Sequence, residues 1–254
     1  MGARGLSRSK TALLRTRGVG VVVPVNDEEE LVGAALTSLD TAIDALNTWD
    51  LETKVIIVLD SCRDASAQMV ENWLERFYGT SSPLNVTVTT CRVKNVGFAR
   101  KLGCEILLEQ WANLNPAHIW LTTTDADSRV PEDWLRRQIL KHESGVDLWC
   151  GRVAVLDWLS YGRETSLRWQ SRYELEPDPV HGTSLGFNAK IYRKVGGFLP
   201  VRTGEDRELR AVFVEGGAVV DYDSSVPVVT SARRDARAPL GFANALKVCE
   251  VNVD

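Results

Sequence analysis

The stretch Trp120-Leu-Thr-Thr-Thr-Asp125-Ala-Asp127-Ser-Arg-Val-Pro131-Glu-Asp-Trp134 places two carboxylates one residue apart, directly after a run with β-branched residues. Pro131 followed by two acids is typical of the first turn of a helix. Asp125 and Asp127 are therefore expected just past the carboxyl end of a strand, where open α/β sheets hold their ligands. In an extended backbone both side chains point to one face. In a cleft such a pair suits a divalent cation, whereas on an open loop it is an ordinary solvated turn.

The chain on both sides of this stretch alternates between strand and helix patterns. Apolar runs at residues 19–25, 54–59, 84–90 and 118–123 predict four strands, and each of the first three is followed by apolar residues at helical spacing. This alternation favours an α/β fold, a single domain with a mostly parallel central sheet flanked by helices. Asp27 and Asp60 also follow strand runs directly. The carboxyl ends of parallel strands share one edge, so these acids and Asp125 are expected to converge on one crevice.

Composition excludes several classes of protein. The 254 residues carry a net charge of −4 and 44% apolar residues, which supports a sizeable core and gives no case for nucleic-acid binding. The five cysteines form no CxxC pair, so reduced thiols and a cytoplasmic location are expected. No apolar stretch reaches the length of a membrane span. Residues 1–17 carry five basic residues and no acid. These residues are interpreted as a disordered tail, or alternatively as a segment that is weakly attracted to an anionic membrane surface. Any membrane contact is therefore expected to be peripheral at most.

The second half of the chain is less regular. Residues 147–155 predict a strand, residues 156–179 an irregular or helical segment, and residues 218–222 and 226–229 two short strands. Helices are expected after Thr203-Gly204 and around residues 242–249. The sequence from Gly182 to Gly186 matches the GxSxG nucleophile elbow of hydrolases, but no strong strand precedes it and no histidine follows it. A glycine-rich turn near a ligand is the better interpretation.

Six motifs, in order, resemble those of the family 2 glycosyltransferases, which have the GT-A fold. Residues 21–29 resemble the opening strand and its P-x-x-[ND]-E segment, residues 58–64 the V-D-D-G-S-x-D segment, and residues 95–100 the N-x-G-x-[AS] stretch. Asp125-Ala-Asp127 resembles the D-x-D motif, and residues 186–198 resemble the segment that leads into the acceptor site. Glu205-Asp206 resembles the acidic pair whose Asp is the catalytic base. The resemblance covers roughly residues 18 to 240.

The resemblance implies transfer of one sugar from a nucleotide-diphosphate sugar, most often a UDP-sugar, to an unknown acceptor hydroxyl with inversion. It implies a nucleotide-sugar-binding half at residues 18–128 and an acceptor-binding half at residues 129–254. Asp206 would be the catalytic base, and Asp127 with Asp125 nearby would hold Mg²⁺ or Mn²⁺. Acceptor binding would fall to Gly186, Asn188 and Glu205. The nucleotide sugar would contact Pro24, Val25, Asp27, Glu28, Asp60, Asn95, Gly97, Arg100, Asp125, Ala126, Asp127, Arg233 and Arg234.

The chain also departs from the family pattern, and simpler interpretations stand beside the functional ones. Leu59 replaces the first Asp of the V-D-D segment, and the Q-x-x-R-W motif of processive synthases is absent, which favours a non-processive enzyme. Asp60 could instead cap a helix, Asp206 could complement a helix dipole, and Arg233 and Arg234 could form a solvated basic loop. The alternative functions are a sugar-phosphate nucleotidyltransferase and a non-catalytic nucleotide-sugar or carbohydrate binder.

Overall fold

The computed structural model describes residues 14–76, 85–155, 157–234 and 242–250. In these ranges the first half of the chain forms β1 (Gly18–Val25), α1 (Val32–Asp44), β2 (Glu52–Asp60), α2 (Ser66–Glu75), β3 (Asn85–Cys91), α3 (Val96–Gln110), β4 (Ile119–Thr123) and β5 (Ser128–Arg129). The second half forms α4 (Trp134–Glu143), β6 (Leu148–Ala154), α5 (Gly162–Glu174), β7 (Leu185–Asn188), α6 (Ala189–Val195), α7 (Glu205–Glu215), β8 (Val220–Thr230) and α8 (Phe242–Val248).

The strands form one sheet in the order β3-β2-β1-β4-β7-β6-β8-β5. The neighbours β1–β2, β1–β4, β2–β3 and β6–β8 are parallel, whereas β7 is antiparallel to both β4 and β6. The sheet is therefore mostly parallel and continuous across the predicted boundary at residue 128. This confirms the predicted α/β fold class.

Helices cover both faces of the sheet, which explains the uninterrupted apolar runs of the central strands. One apolar cluster joins the sheet to α1, α2 and α4, and a second joins it to α3, α6 and α7. A third, smaller cluster packs α5 against α8 around Trp169 and Leu246. Within the described residues, no helix has the length and apolar content needed to cross a bilayer.

Three details of the predicted elements are wrong. The two short strands predicted within residues 218–229 are one strand, β8. Its pairing with β6 contains a bulge between Gly151 and Val153. Pro131 is not the first residue of α4, which begins at Trp134 with Asp133 as its N-cap. Residues 14–17 are part of the fold, since the backbone of Arg17 bonds to those of His118 and Glu52. The rest of the predicted tail, residues 1–13, lies outside the described residues.

The strand directions bring several loops to one edge of the sheet. The parallel strands β1, β2 and β4 end there at Val25, Asp60 and Thr123. Because β7 runs the opposite way, it begins at this edge with Leu185, and β8 ends there at Thr230. We call this the carboxyl edge. It carries the loops that hold most of the predicted site residues.

Candidate active site

Asp125 and Asp127 lie in the loop after β4, and their carboxylates bind different arginines. The Oδ1 atom of Asp125 is 2.5 Å from Nη2 of Arg100, and Oδ2 of Asp127 is 3.1 Å from Nη2 of Arg233. Between them, Ala126 is buried in the first apolar cluster, so its side chain serves packing. The two acids are thus one residue apart in sequence but are neutralised from two separate parts of the chain.

Arg100 projects from α3 into a buried cluster of charges. Its side chain is 3% exposed and forms ion pairs with Asp125 and with Glu205 at the start of α7. Burial by itself would lower the pKa of Arg100, but the carboxylates of Asp125 and Glu205 raise it above its ordinary value. Arg100 therefore remains a cation and connects the loop after β4 to the start of α7. Removing any one member would leave a buried charge without its partner.

Asp206 is held at the carboxyl edge by a backbone group. Its Oδ2 accepts a hydrogen bond from the backbone N–H of Gly182 at 2.9 Å, and its Oδ1 accepts one from the N–H of Arg207 at 2.8 Å. The Gly182 carbonyl in turn accepts a hydrogen bond from Thr123 Oγ1 at 2.6 Å. A Cβ on Gly182 would lie 2.3 Å from Nη1 of Arg100, so the glycine rests directly on the guanidinium. The Asp206 carboxylate is partly exposed and rigidly placed next to the Arg100 cluster.

Asp60 binds the loop between β3 and α3. Its carboxylate accepts hydrogen bonds from the backbone N–H groups of Val93, Lys94 and Asn95, at 2.8–2.9 Å, and from the Ser61 hydroxyl. Burial by itself would raise the pKa of Asp60. The hydrogen bonds from these N–H groups lower the pKa by a larger amount, so the pKa is below its ordinary value. The carboxylate is therefore ionised and mostly occupied within the chain. It does not cap the helix near Asp64, which was the simpler expectation.

Asn95 and Gly97 organise the start of α3 and the segment before α7. The Asn95 side chain caps α3 by accepting from Phe98 N–H, and it donates to the carbonyl of Val201 at 3.0 Å. A Cβ on Gly97 would lie 2.5 Å from the Leu199 carbonyl oxygen, so only glycine permits this close approach. These two residues position the chain that leads to Glu205 and Asp206.

An open crevice of about 740 Å³ lies at the carboxyl edge between the β1–α1 loop, the β2–α2 loop and the segment after β8. Its volume falls in the range of small-molecule sites. Carboxylates and arginines dominate its lining, which consists of Asp27, Glu28, Glu29, Glu30, Leu31, Arg63, Asp64, Arg233 and Arg234. Among the predicted nucleotide-sugar residues, Pro24 is half-buried and Val25 buried at the end of β1.

Arg233 and Arg234 have different environments. Nη1 of Arg233 is 2.5 Å from Oε1 of Glu28, and its other terminal nitrogen contacts Asp127. Arg234 instead forms an ion pair with Glu250, donates to the Ser160 carbonyl at 2.8 Å and lies over the ring of Tyr161. Arg234 thus attaches the segment after β8 to α5 and to the end of α8, whereas Arg233 joins Glu28 in the crevice to Asp127 in the loop after β4.

Gly186 and Asn188, the predicted acceptor-binding residues, are both buried in β7, and Asn188 also lies away from the carboxyl edge. Asn188 ends β7 beside Trp120, near the opposite edge of the sheet, where it caps α6 and contacts His142. Gly186 is buried within the sheet, and a Cβ there would lie 2.1 Å from Oε1 of Gln138. Because β7 is antiparallel to β4, it runs away from the carboxyl edge after Leu185 and carries Asn188 toward the opposite edge.

Two residues at the site were missed as functional candidates. Gly182, which holds Asp206, lies in the sequence that was interpreted only as a glycine-rich turn near a ligand. Ser231 donates its hydroxyl to Oδ2 of Asp127 at 2.9 Å. Its only sequence signal is its place beside the basic segment after the last strand. Ser184 is fully buried and accepts a hydrogen bond from Trp134, so it has no access to a substrate as a nucleophile.

Asp125 and Asp127 fit a divalent cation that binds together with a phosphate-containing ligand. In the described part of the chain, no three His, Cys, Asp or Glu side chains come together as an all-protein metal site. Mg²⁺ ordinarily binds proteins through one or two carboxylates together with substrate phosphates and water. The carboxylates of Asp125 and Asp127 are therefore compatible with a cation that arrives with a diphosphate. Asp125 is the more exposed of the two, with 35% of its side chain accessible against 8% for Asp127, and each is bound to an arginine.

Comparison with known proteins gives one family and a set of related folds. The glycosyl transferase family 2 model matches residues 20–203 and ends before Glu205. None of the curated proteins compared with the chain matches it.

Three solved structures illustrate the shared fold. The mannosyltransferase PcManGT from Pyrobaculum calidifontis, in complex with GDP-Man and Mn²⁺, is 17% identical with a TM-score of 0.63, over 92% of this chain and 68% of that chain. Staphylococcus aureus TarS 1–349 in complex with UDP is 13% identical with a TM-score of 0.59, over 85% and 61%. This chain therefore spans about three fifths of that fragment. Glucosyl-3-phosphoglycerate synthase from Mycobacterium tuberculosis, with Mg²⁺ and UDP, is 13% identical with a TM-score of 0.51, over 90% and 76%.

Proposed function

The chain belongs to glycosyl transferase family 2, and from this membership we propose that it moves one sugar from a nucleotide-diphosphate sugar, a UDP-sugar in the first instance, to an acceptor hydroxyl. The transfer is inverting, non-processive and dependent on Mg²⁺ or Mn²⁺. The observation that carries the proposal is the Asp206 carboxylate. The N–H of Gly182 holds this carboxylate at the carboxyl edge. Gly182 itself packs against the buried Arg100, which also forms the ion pair with Asp125. We also propose a cytoplasmic location, as expected from cysteines that form no CxxC pair.

The donor binds in the crevice at the carboxyl edge. Asp60 keeps lone-pair capacity on Oδ2, which accepts one backbone hydrogen bond, and can accept from the N–H of a uracil. The diphosphate lies toward Asp127 and Arg233. A cation held by Asp127 would supply Lewis-acid stabilisation of the charge that develops on the diphosphate.

The protein residues then account for the chemical step. Asp206 accepts the proton of the acceptor hydroxyl as its oxygen forms a bond to the anomeric carbon. The bond from that carbon to the diphosphate oxygen breaks on the opposite face, and the electron pair stays with the diphosphate. The Arg233 guanidinium, placed before the reaction, stabilises that oxygen. A single displacement of this kind inverts the anomeric centre.

The first test is donor binding. Thermal shift with UDP-glucose, UDP-galactose, UDP-N-acetylglucosamine and GDP-mannose, each with and without Mn²⁺, should identify a donor whose stabilisation requires the cation. If the cation adds nothing for every donor that binds, the metal dependence is wrong. If no nucleotide sugar binds in either condition, the donor proposal fails.

The second test is the Asp206→Asn variant, assayed by donor hydrolysis, in which water replaces the unknown acceptor. Removing a general base typically lowers the rate by about 10²–10⁴ without weakening ground-state binding. Donor affinity should therefore match that of the wild type while release of the nucleoside diphosphate nearly stops. Glu208→Gln, which removes an exposed acid in the same turn of α7, is the matched control and should retain turnover. Equal turnover in the Asp206 variant would rule out its role as base.

A further inference from the structure

Arg233 lies between two acids that are far apart in sequence. Its guanidinium contacts Oε1 of Glu28, in the β1–α1 loop, and Oδ2 of Asp127, in the loop after β4. Both carboxylate side chains are only 8% exposed, and the Arg233 side chain is 29% exposed. Burial lowers the pKa of Arg233, but Asp127 and Glu28 raise it above its ordinary value, so Arg233 stays charged. It is the counter-charge of two nearly buried acids.

The oxygens of Asp127 are already in use. Oδ2 accepts from Arg233 and from the Ser231 hydroxyl, and Oδ1 accepts from the Ser128 hydroxyl. A divalent cation bound to Asp127 must approach an oxygen to about 2.0–2.2 Å, and it repels a guanidinium that touches the same carboxylate. Arg233 and the divalent cation therefore compete for Asp127.

We propose that Arg233 is an exchangeable internal cation, which neutralises Asp127 until a divalent cation and a diphosphate arrive together. The inference rests on the proposed function, since it assumes that Asp127 takes a cation with the donor. A diphosphate offers the guanidinium new oxygen partners at the moment when the cation takes Asp127. Without the diphosphate, the incoming cation must leave Arg233 with Glu28 alone, so cation binding by itself is weak.

The surroundings allow Arg233 to move while the sheet stays in place. Arg233 is three residues past the end of β8, and its neighbour Arg234 is attached to Ser160, Tyr161 and Glu250. The exchange therefore needs a change of one side chain. Through this exchange, Arg233 couples the binding of the cation to the binding of the diphosphate.

The test measures Mn²⁺ affinity directly, by calorimetry and by electron paramagnetic resonance, with and without UDP. For the wild type we expect weak binding of Mn²⁺ alone and at least about tenfold tighter binding with UDP, within the usual range of coupling between sites. Arg233→Gln should bind Mn²⁺ alone at least tenfold more tightly than the wild type and should lose most of the dependence on UDP. Arg168→Gln, an arginine of α5 that pairs with Glu164 outside the crevice, is the matched control and should behave as the wild type.

A second variant protects the test against misfolding. Arg233→Lys keeps the charge but loses the two-pronged geometry, so its affinity for Mn²⁺ alone should lie between those of the wild type and Arg233→Gln. The inference is overturned if folded Arg233→Gln or Arg233→Lys binds Mn²⁺ alone no better than the wild type. If the wild type binds UDP but no Mn²⁺ in any condition, both the inference and the metal dependence fall. If Mn²⁺ with UDP binds normally and only the coupling is absent, the proposed function stands and the inference falls.

Discussion

At the scale of single residues, the site consists of charged groups that the chain itself satisfies. Asp60 binds three backbone N–H groups, Asp125 binds Arg100, and Asp127 binds Arg233. A buried charge is tolerated only with such partners, because an uncompensated one is strongly destabilising. Each of these three acids therefore has a structural role. Variants at these positions must be measured for stability and for binding separately.

Asp60→Asn is expected to reduce the free energy of unfolding by about 2–4 kcal/mol, because an amide cannot accept from all the N–H groups of residues 93–95. UDP affinity should fall as well, since the loop before α3 loses its anchor. Urea denaturation and UDP titration measure the two effects. Asp64→Asn, which alters the cap at the start of α2 and one hydrogen bond from the N–H of Glu29, should cost about 1 kcal/mol. Full stability of the Asp60 variant with reduced UDP affinity would show that Asp60 acts on the nucleotide alone.

At the scale of elements, the short turn at Gly182–Ser184 has the largest influence on the proposed chemistry. It precedes β7 and contacts β4 through Thr123, α3 through Arg100 and α7 through Asp206. This turn of three residues thus helps to fix the position of Asp125 relative to Asp206, the proposed base.

Gly182→Ala should disrupt this arrangement, since the new Cβ would lie 2.3–2.5 Å from a guanidinium that two carboxylates hold in place. Overpacking of this kind costs about 1–3 kcal/mol, and a shift of the base of about 1 Å can lower the rate about 10²-fold. Urea denaturation and donor hydrolysis are the measurements. Gly33→Ala is the matched control in α1, where the Cβ would meet only Met69 at 3.5 Å and should add about 0.5–1 kcal/mol of stability. Wild-type turnover in Gly182→Ala would contradict this account of the turn.

At the scale of the whole molecule, His142 joins parts of the chain that are distant in sequence. Its ring nitrogens lie 2.9 Å from Thr16 Oγ1, at the start of the described chain, and from Nδ2 of Asn188, at the end of β7. The residue is fully buried in α4 beside the Trp120 ring. It therefore reports on the integrity of the folded chain as a whole.

The contribution of His142 to stability should fall as the pH falls from 6.5 toward 4. Burial lowers the pKa of His142 from 6.5 to about 4 in the folded state, so below pH 6.5 the unfolded chain binds a proton that the folded chain does not. The loss reaches about 3 kcal/mol at most. Asp40 acts in the opposite direction, because burial raises its pKa to about 6 and the folded state binds its proton first. Urea denaturation at pH 7.5, 6.5 and 5.5 for wild type and His142→Gln isolates the histidine. The same pH slope in both would refute this assignment.

The sequence by itself determined the fold class and the place of most site residues. Apolar strand runs followed by Asp27, Asp60 and Asp125 predict strands with acids at their carboxyl ends, because hydrophobic periodicity is a local property of the sequence. The acidic start of α7 was predictable for the same reason. What these acids bind was not predictable.

Only the tertiary structure decided the partners. Arg100 meets Glu205 across 105 residues and Arg233 meets Glu28 across 205 residues, contacts that no local pattern encodes. The reversed direction of β7 moved Asn188 away from the site and brought Gly182 to Asp206. Strand order and direction are set by how the helices cover both faces of the sheet, which depends on packing over the whole chain. The identity of the acids is therefore a property of the sequence, and their pairing is a property of the folded molecule.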